Sequence, residues 1–188
     1  MARWDPGAEE RLKQAALELF VERGYDNVTV NQIAERAGLT RRSFFRYFPD
    51  KREVLFSGSE RLPPAVAEVI VAAEPSTPPL AAALQALARV GDQLVEQVEG
   101  VRERRAVIDA SPELQERERT KMAAITEAIR EALLRRGVDA GHAELIAQLA
   151  TVAGQSALRH WSEAGGRSGF GACLETATRE LRTALADT

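Results

Sequence analysis

Residues 40–47 read TRRSFFRY. Three arginines (Arg41, Arg42, Arg46), two hydroxyls (Thr40, Ser43) and the aromatics Phe45 and Tyr47 lie within two helical turns. Arginine donates two parallel hydrogen bonds to O6 and N7 of guanine, and Ser and Thr hydroxyls reach bases or phosphates. A few residues on, Lys51 stands where a helix begins, a place that suits a phosphate. The chemistry indicated is sequence-dependent contact with duplex DNA. Charge is distributed to match. The chain carries a net charge of −3, yet residues 36–52 hold six basic side chains against the single acid Asp50. Residues 57–188 hold 15 basic and 19 acidic side chains, so a small basic head is followed by an acidic body. A basic run on a short helix is also what a solvated face looks like, so charge alone does not decide.

The elements that must position these residues are legible in TVNQIAERAGLTRRSFFRYF, residues 29–48. Thr29 with Gln32 three residues on forms a capping box and starts a short helix that Gly38 ends. Thr40 is the N-cap of the next helix, which Pro49 stops. Ala34 is small enough for two helices to cross closely. Gly38 relieves a tight turn where positive φ is expected. Ile33, Leu39 and Phe44 would lock the crossing angle, with Phe44 and Phe48, four apart, facing inward. A helix from about Pro6 to Arg23 precedes them, with Leu12, Ala15, Ala16, Leu19 and Phe20 on its apolar face. The arrangement is a helix-turn-helix that offers the start of its second helix to a major groove.

Residues 15–56, AALELFVERGYDNVTVNQIAERAGLTRRSFFRYFPDKREVLF, resemble the TetR family of bacterial transcriptional regulators. Gly24-Tyr25, Thr29-Val30, Ile33-Ala34 with Ala37-Gly38-Leu39-Thr40, and Tyr47-Phe48 with Lys51 carry the match. The resemblance implies that Thr29, Thr40, Arg41, Ser43, Arg46, Tyr47 and Lys51 face DNA. Two positions depart from the family pattern. Arg42 stands where a small residue is usual and adds a base or phosphate contact. Phe45 stands where tyrosine is usual and offers only apolar contact to a sugar or a thymine methyl.

Ala, Leu, Glu and Arg number 32, 19, 21 and 22, half of the chain, and all favour helix. The fold class expected is all-α with about nine helices. A fourth helix is expected over 50–74, capped by Asp50 and kinked or broken at Pro63-Pro64, and PSTPP (75–79) is the clearest breaker. Further helices are expected over 79–99, 101–110, 112–136, 139–164 and 168–186. Two domains follow: a DNA-binding head, 1–56, and a helical domain, 57–188. The resemblance makes the latter a ligand-sensing and dimerising domain whose last two helices pair with those of a second copy. Leu145, Leu149, Val152, Ala153 and Ser156, with Phe170, Leu174, Ala177 and Leu181, form apolar stripes that fit such an interface and also fit ordinary core packing. Leu87, Val90, Leu94, Met122 and Ile125, with His160 and Trp161, could line a pocket for a small apolar effector or simply belong to the core. Arg102, Arg104, Arg105, Arg117 and Arg119 are interleaved with acids and read best as helix-surface ion pairs.

Other classes are poorly supported. One cysteine, Cys173, allows no internal disulfide and no multi-thiolate metal site, and it reads as a small buried residue. There are two histidines and no G-x-S-x-G, phosphate-loop or H-E-x-x-H pattern, so no enzyme, metal or cofactor is expected. There is no apolar signal-peptide core and no run approaching the ~18 residues of a membrane span, so a cytoplasmic protein is expected. The rival reading is a helical adaptor that binds only protein. It gives no reason for basic arginines on a capped helix after a glycine turn. The expected partners are an operator in double-stranded DNA, a second copy of the chain and a small effector. The expected action is repression relieved when the effector shifts the spacing of the two reading heads, with 50–74 as the pivot.

Overall fold

A computed structural model of the chain describes residues 7–95 and 100–186, and among them there are ten α-helices and no strand. The helices divide between two compact units. The first comprises the described residues up to Ser57 together with Arg102–Glu118. The second comprises Gly58–Val101 and the described residues from Arg119 onward.

The first unit begins with α1 (Ala8–Arg23), α2 (Val30–Arg36) and α3 (Arg41–Tyr47). Leu12, Ala15, Ala16, Leu19 and Phe20 of α1 are buried, as their spacing predicts. They meet Ile33 and Ala34 of α2 and Phe44 of α3 in one core. The capping box forms as expected. Thr29 Oγ1 accepts the Gln32 N–H at 3.4 Å, and Gln32 Oε1 accepts the Thr29 N–H at 2.8 Å. Gly38 takes a φ of 69°, the left-handed conformation the turn requires.

The stretch 50–74 is not one helix broken at its prolines. It is α4 (Glu53–Phe56), a 3-10 turn (Ser59–Arg61) and α5 (Leu62–Ala72). The break falls at Ser57-Gly58, where Gly58 has a φ of 86°. Pro63 and Pro64 sit in the first turn of α5, where the missing N–H leaves no intrahelical bond unmade. This division raises the helix count above the nine expected. The first unit is completed by α7 (Val101–Asp109) from Arg102 on, and by the start of α8 (Pro112–Arg135). Val107, Ile108 and Leu114 join its core.

The second unit contains α5, α6 (Pro79–Val95), the remainder of α8, α9 (Ala140–Glu163) and α10 (Phe170–Ala186). The sequence reading carried α6 on to 99, and residues 96–99 lie outside the described residues, as does Pro6. Ala143, Ala147, Ala150, Ala153 and Ala157 form a fully buried face of α9, small enough for close helix approach. Arg136, after α8, donates to the carbonyls of Ile70, Ala73, Glu74 and Thr77 at 2.8–3.0 Å, satisfying the end of α5 and the turn before α6. Asp92 of α6 accepts the Gly171 N–H at 3.0 Å at the start of α10.

Beside that contact, a Cβ on Gly91 would stand 2.3 Å from the buried Phe170 ring. Gly91→Val is therefore expected to cost about 1–3 kcal/mol by overpacking. Thermal denaturation followed by circular dichroism checks it, and an unchanged midpoint would contradict the packing.

Candidate nucleic-acid interface

Helix α3 is fixed from both ends and from below. At its start Thr40 Oγ1 accepts the Ser43 N–H at 3.1 Å and lies 3.0 Å from Ser43 Oγ. Below, Phe44 and Phe48 are buried with ring centroids 5.5 Å apart. At its far end Pro49-Asp50 turns the chain into α4. The Asp50 carboxylate accepts the N–H groups of Arg52 at 2.8 Å and Glu53 at 3.2 Å.

The opposite face of α3 is exposed and cationic. Arg41, Arg42, Phe45 and Arg46 are exposed, and Ser43 and Tyr47 are half-buried. The Arg41 guanidinium lies 5.5 Å from the Phe45 ring centroid. Arg46 donates to the Tyr47 hydroxyl at 3.0 Å and lies 4.9 Å from that ring's centroid. Among the described residues none of these three arginines is paired with a carboxylate.

The other three cations of 36–52 are engaged. Arg36 pairs with Glu22 at 2.9 Å and Glu18 at 3.3 Å on α1. Arg52 pairs with Asp50 at 2.6 Å and Glu113 at 3.5 Å. The Lys51 ammonium donates to the carbonyls of Tyr25 at 2.9 Å and Val28 at 3.1 Å, and sits 4.0 Å from the Tyr25 ring centroid. Two of its three hydrogens therefore hold the loop between α1 and α2. The Thr29 hydroxyl is likewise engaged in capping α2. The free positive charge is thus concentrated on α3.

Sequence reasoning did not foresee what supports α4. Arg104 donates to the Leu55 carbonyl at 2.8 and 2.6 Å and stacks on Phe56 at 5.6 Å. Burial pushes its guanidinium down to about 10. Arg117 pairs with Glu53 at 2.6 Å. Arg105 pairs with Glu118 at 2.9 Å and with Asp109, which follows the expected surface pattern. The local sequence gives no signal for the other two, because their partners lie 49 and 64 residues away.

Family models match the chain over two stretches. Residues 12–57 match "Bacterial regulatory proteins, tetR family" and residues 77–186 match "MftR C-terminal domain". The chain belongs to the TetR family. That family is one of bacterial regulatory proteins. TcmR of Streptomyces glaucescens, an HTH-type transcriptional regulator, is 38% identical over 95 residues, 48% of this chain and 42% of that protein. The chain thus spans less than half the length of that relative. Among solved structures, the SmeT–triclosan complex superposes with a TM-score of 0.63 at 18% identity, covering 93% of this chain and 91% of that one. FadR of Thermus thermophilus, a repressor in complex with lauroyl-CoA, superposes with a TM-score of 0.50 at 24% identity, covering 91% of each. At these identities the likeness is one of fold.

In this TetR-family chain the candidates of the second unit fall into two groups. Leu87, Val90, Ile125 and Trp161 are buried in its core, Met122 packs against it, and Leu94 is half-buried. His160 Nε2 lies 3.6 Å from Glu180. His160 Nδ1 and Trp161 Nε1 are buried without a hydrogen-bond partner. Of the interface candidates, Ala153, Phe170, Leu174 and Ala177 are at most 7% exposed and belong to the chain's own core. α9 and α10 bury them against each other and α6. Leu145 and Val152 are more than half exposed, and Leu149, Ser156 and Leu181 are half-buried. Cys173 is buried, and burial followed by the Asp92 charge pushes its thiol up, which suits no nucleophile. No described helix is long and apolar enough to cross a membrane.

The hydrogen bond from Arg52 holds the Asp50 carboxyl below its ordinary 3.8. Its stabilisation is complete above that value and is lost as pH falls through the lower folded-state pKa. Asp50→Ala is expected to cost about 1 kcal/mol at neutral pH by loss of the cap. The gap from the wild type should persist at moderately acid pH and narrow only below 3.8. Melting temperatures across pH check the sign.

Proposed function

We propose that the protein is a cytoplasmic, homodimeric repressor that reads a near-palindromic operator with α3 and is released by a small apolar effector. The observation that carries this reading is the exposed, acid-free face of Arg41, Arg42 and Arg46 on a helix whose other side is core. A protein-binding adaptor would have no use for a cationic face cleared of carboxylates in this way.

In this reading residues 1–56 are the DNA-reading head and 57–188 the sensing and dimerising domain. Thr40, Ser43, Arg41, Arg42, Phe45, Arg46 and Tyr47 form the contact surface. Lys51 and Thr29 serve it chiefly by holding the loop before α2. The dimer forms through the outward stripe of α9, Leu145, Leu149, Val152 and Ser156, at the spacing of a helical seam, together with Leu181 of α10. A two-fold dimer places its reading helices one DNA turn apart, about 34–36 Å, or a multiple of it. The effector enters among Leu87, Val90, Leu94, Met122 and Ile125, with His160 and Trp161 as polar anchors. Their unpartnered ring nitrogens are the groups a ligand would satisfy. Ligand-bearing neighbours, one with triclosan and one with lauroyl-CoA, support an apolar effector. Coupling runs through the pivot at 50–74, whose α4 end Arg104 and Arg117 tie to 102–118. An effector acts only by binding one head spacing better than the other.

Selection of random duplexes on the purified protein at stated moderate salt is expected to enrich an inverted repeat. No enrichment by a folded, dimeric protein would overturn the reading. Val152→Glu places a charge on the outward stripe and is expected to yield folded monomers in sedimentation, with weakened operator binding. A dimer of unchanged stability would place the interface elsewhere.

A further inference from the structure

Arg41 and Phe45 are four residues apart on α3 and in contact, the guanidinium carbon 5.5 Å from the ring centroid. Phe45 stands edge-on to Phe44, at 83° with centroids 5.5 Å apart. Phe44 is fully buried. The three side chains therefore form a stack running from the core of the first unit to its surface. Phe45 remains 45% exposed, so this aromatic ring contributes little to the core. Arg42, the next residue, is exposed and makes no comparable stacking contact.

We propose that Arg41 and Phe45 act as one reading unit for a guanine beside a thymine. The Arg41 fork takes N7 and O6 of the guanine, and the open face of Phe45 takes the 5-methyl group of the neighbouring thymine. The proposal rests on the DNA-reading role of α3 and names what that helix reads.

Three arguments carry it. First, a guanidinium already held against a ring loses less side-chain freedom when its two hydrogen bonds form, which favours a base over a diffuse phosphate contact. Second, Phe45 has no polar atom with which to reach a phosphate. The apolar group that a major groove offers such a ring is the thymine methyl. Third, the two side chains touch, and successive bases on a strand are about 3.4 Å apart, so the pair spans adjacent base pairs. Among the described residues Arg41 is paired with no carboxylate, so it has none to leave before it binds. Phe45 is thus both an apolar contact and the positioning residue for Arg41.

The test begins with the duplex the wild-type protein selects. That duplex is remade with 7-deazaguanine at each conserved guanine, or with uracil at each conserved thymine. One guanine in each half-site is expected to lose affinity without its N7, by at most the roughly five- to 150-fold of a whole bidentate contact, since O6 remains. Uracil at the adjacent thymine is expected to weaken binding by a smaller factor. Arg41→Ala removes every donor and should be blind to the 7-deaza change, whereas Arg41→Lys keeps an ammonium that can still donate to N7 and should retain part of it. Phe45→Ala should lose the uracil effect and blunt the guanine effect, and Phe45→Tyr should keep both. Both positions are exposed, so the variants are expected to fold, which circular dichroism checks. If the wild type selects an inverted repeat but Arg41→Ala retains the guanine sensitivity, this proposal falls while the DNA-reading role stands. It falls also if Arg41→Ala weakens all duplexes equally and only lowers the salt dependence, the signature of a phosphate contact. If the wild type selects nothing, both fall.

Discussion

A helix of two turns does not hold together in water by itself, because the cost of ordering its first turn is not recovered over so few residues. α3 has seven residues. It exists because Phe44 and Phe48 are driven into the core made by α1 and α2, each burial contributing about 1.5–3 kcal/mol. Everything on the outer face inherits its position from that burial. Phe44 supports Phe45, which holds Arg41, and the Thr40 cap fixes the end of the helix from which Arg41 and Arg42 project.

Electrostatics then divide the basic residues by role. Arg36 and Arg52 are neutralised by carboxylates, and Lys51 is anchored to backbone carbonyls. They tie α1, the loop before α2 and α4 to one another. Arg41, Arg42 and Arg46 are left with aromatic or solvent neighbours. An acidic protein can attract a polyanion through such a patch, because charges separated by more than a Debye length, ~8 Å at physiological salt, are largely screened from one another. The net charge of −3 therefore says little about the reading face.

The second unit solves a different problem. Its α9 must bury one side in its own core and leave another side apolar and open. Alanines at 143, 147, 150, 153 and 157 allow close packing on the inner side, and Leu145 and Val152 stand out on the other. Arg136 and Asp92 meet backbone groups that the turns and helix starts leave unpaired, which lets Pro- and Gly-rich connections be short.

The sequence by itself determined the head. The capping box at Thr29, the turn at Gly38, the inward Phe44 and Phe48 and the exposed α3 arginines all follow from spacings of three, four or a few residues. Local rules govern such spacings. It also determined the all-α class and most helix limits. It misplaced the break near residue 60, because a proline pair is tolerated in a first turn and the glycine at 58 was free to take a φ of 86°. Tertiary structure decided which stripe residues face inward. Ala153, Phe170, Leu174 and Ala177 share their periodicity with Leu145 and Val152, and only the neighbouring helices distinguish core from surface. It also decided that Lys51 grips a loop and that Arg104 and Arg117 grip α4. Those partners are 23 to 64 residues away in the chain, and no local pattern encodes a contact at that separation.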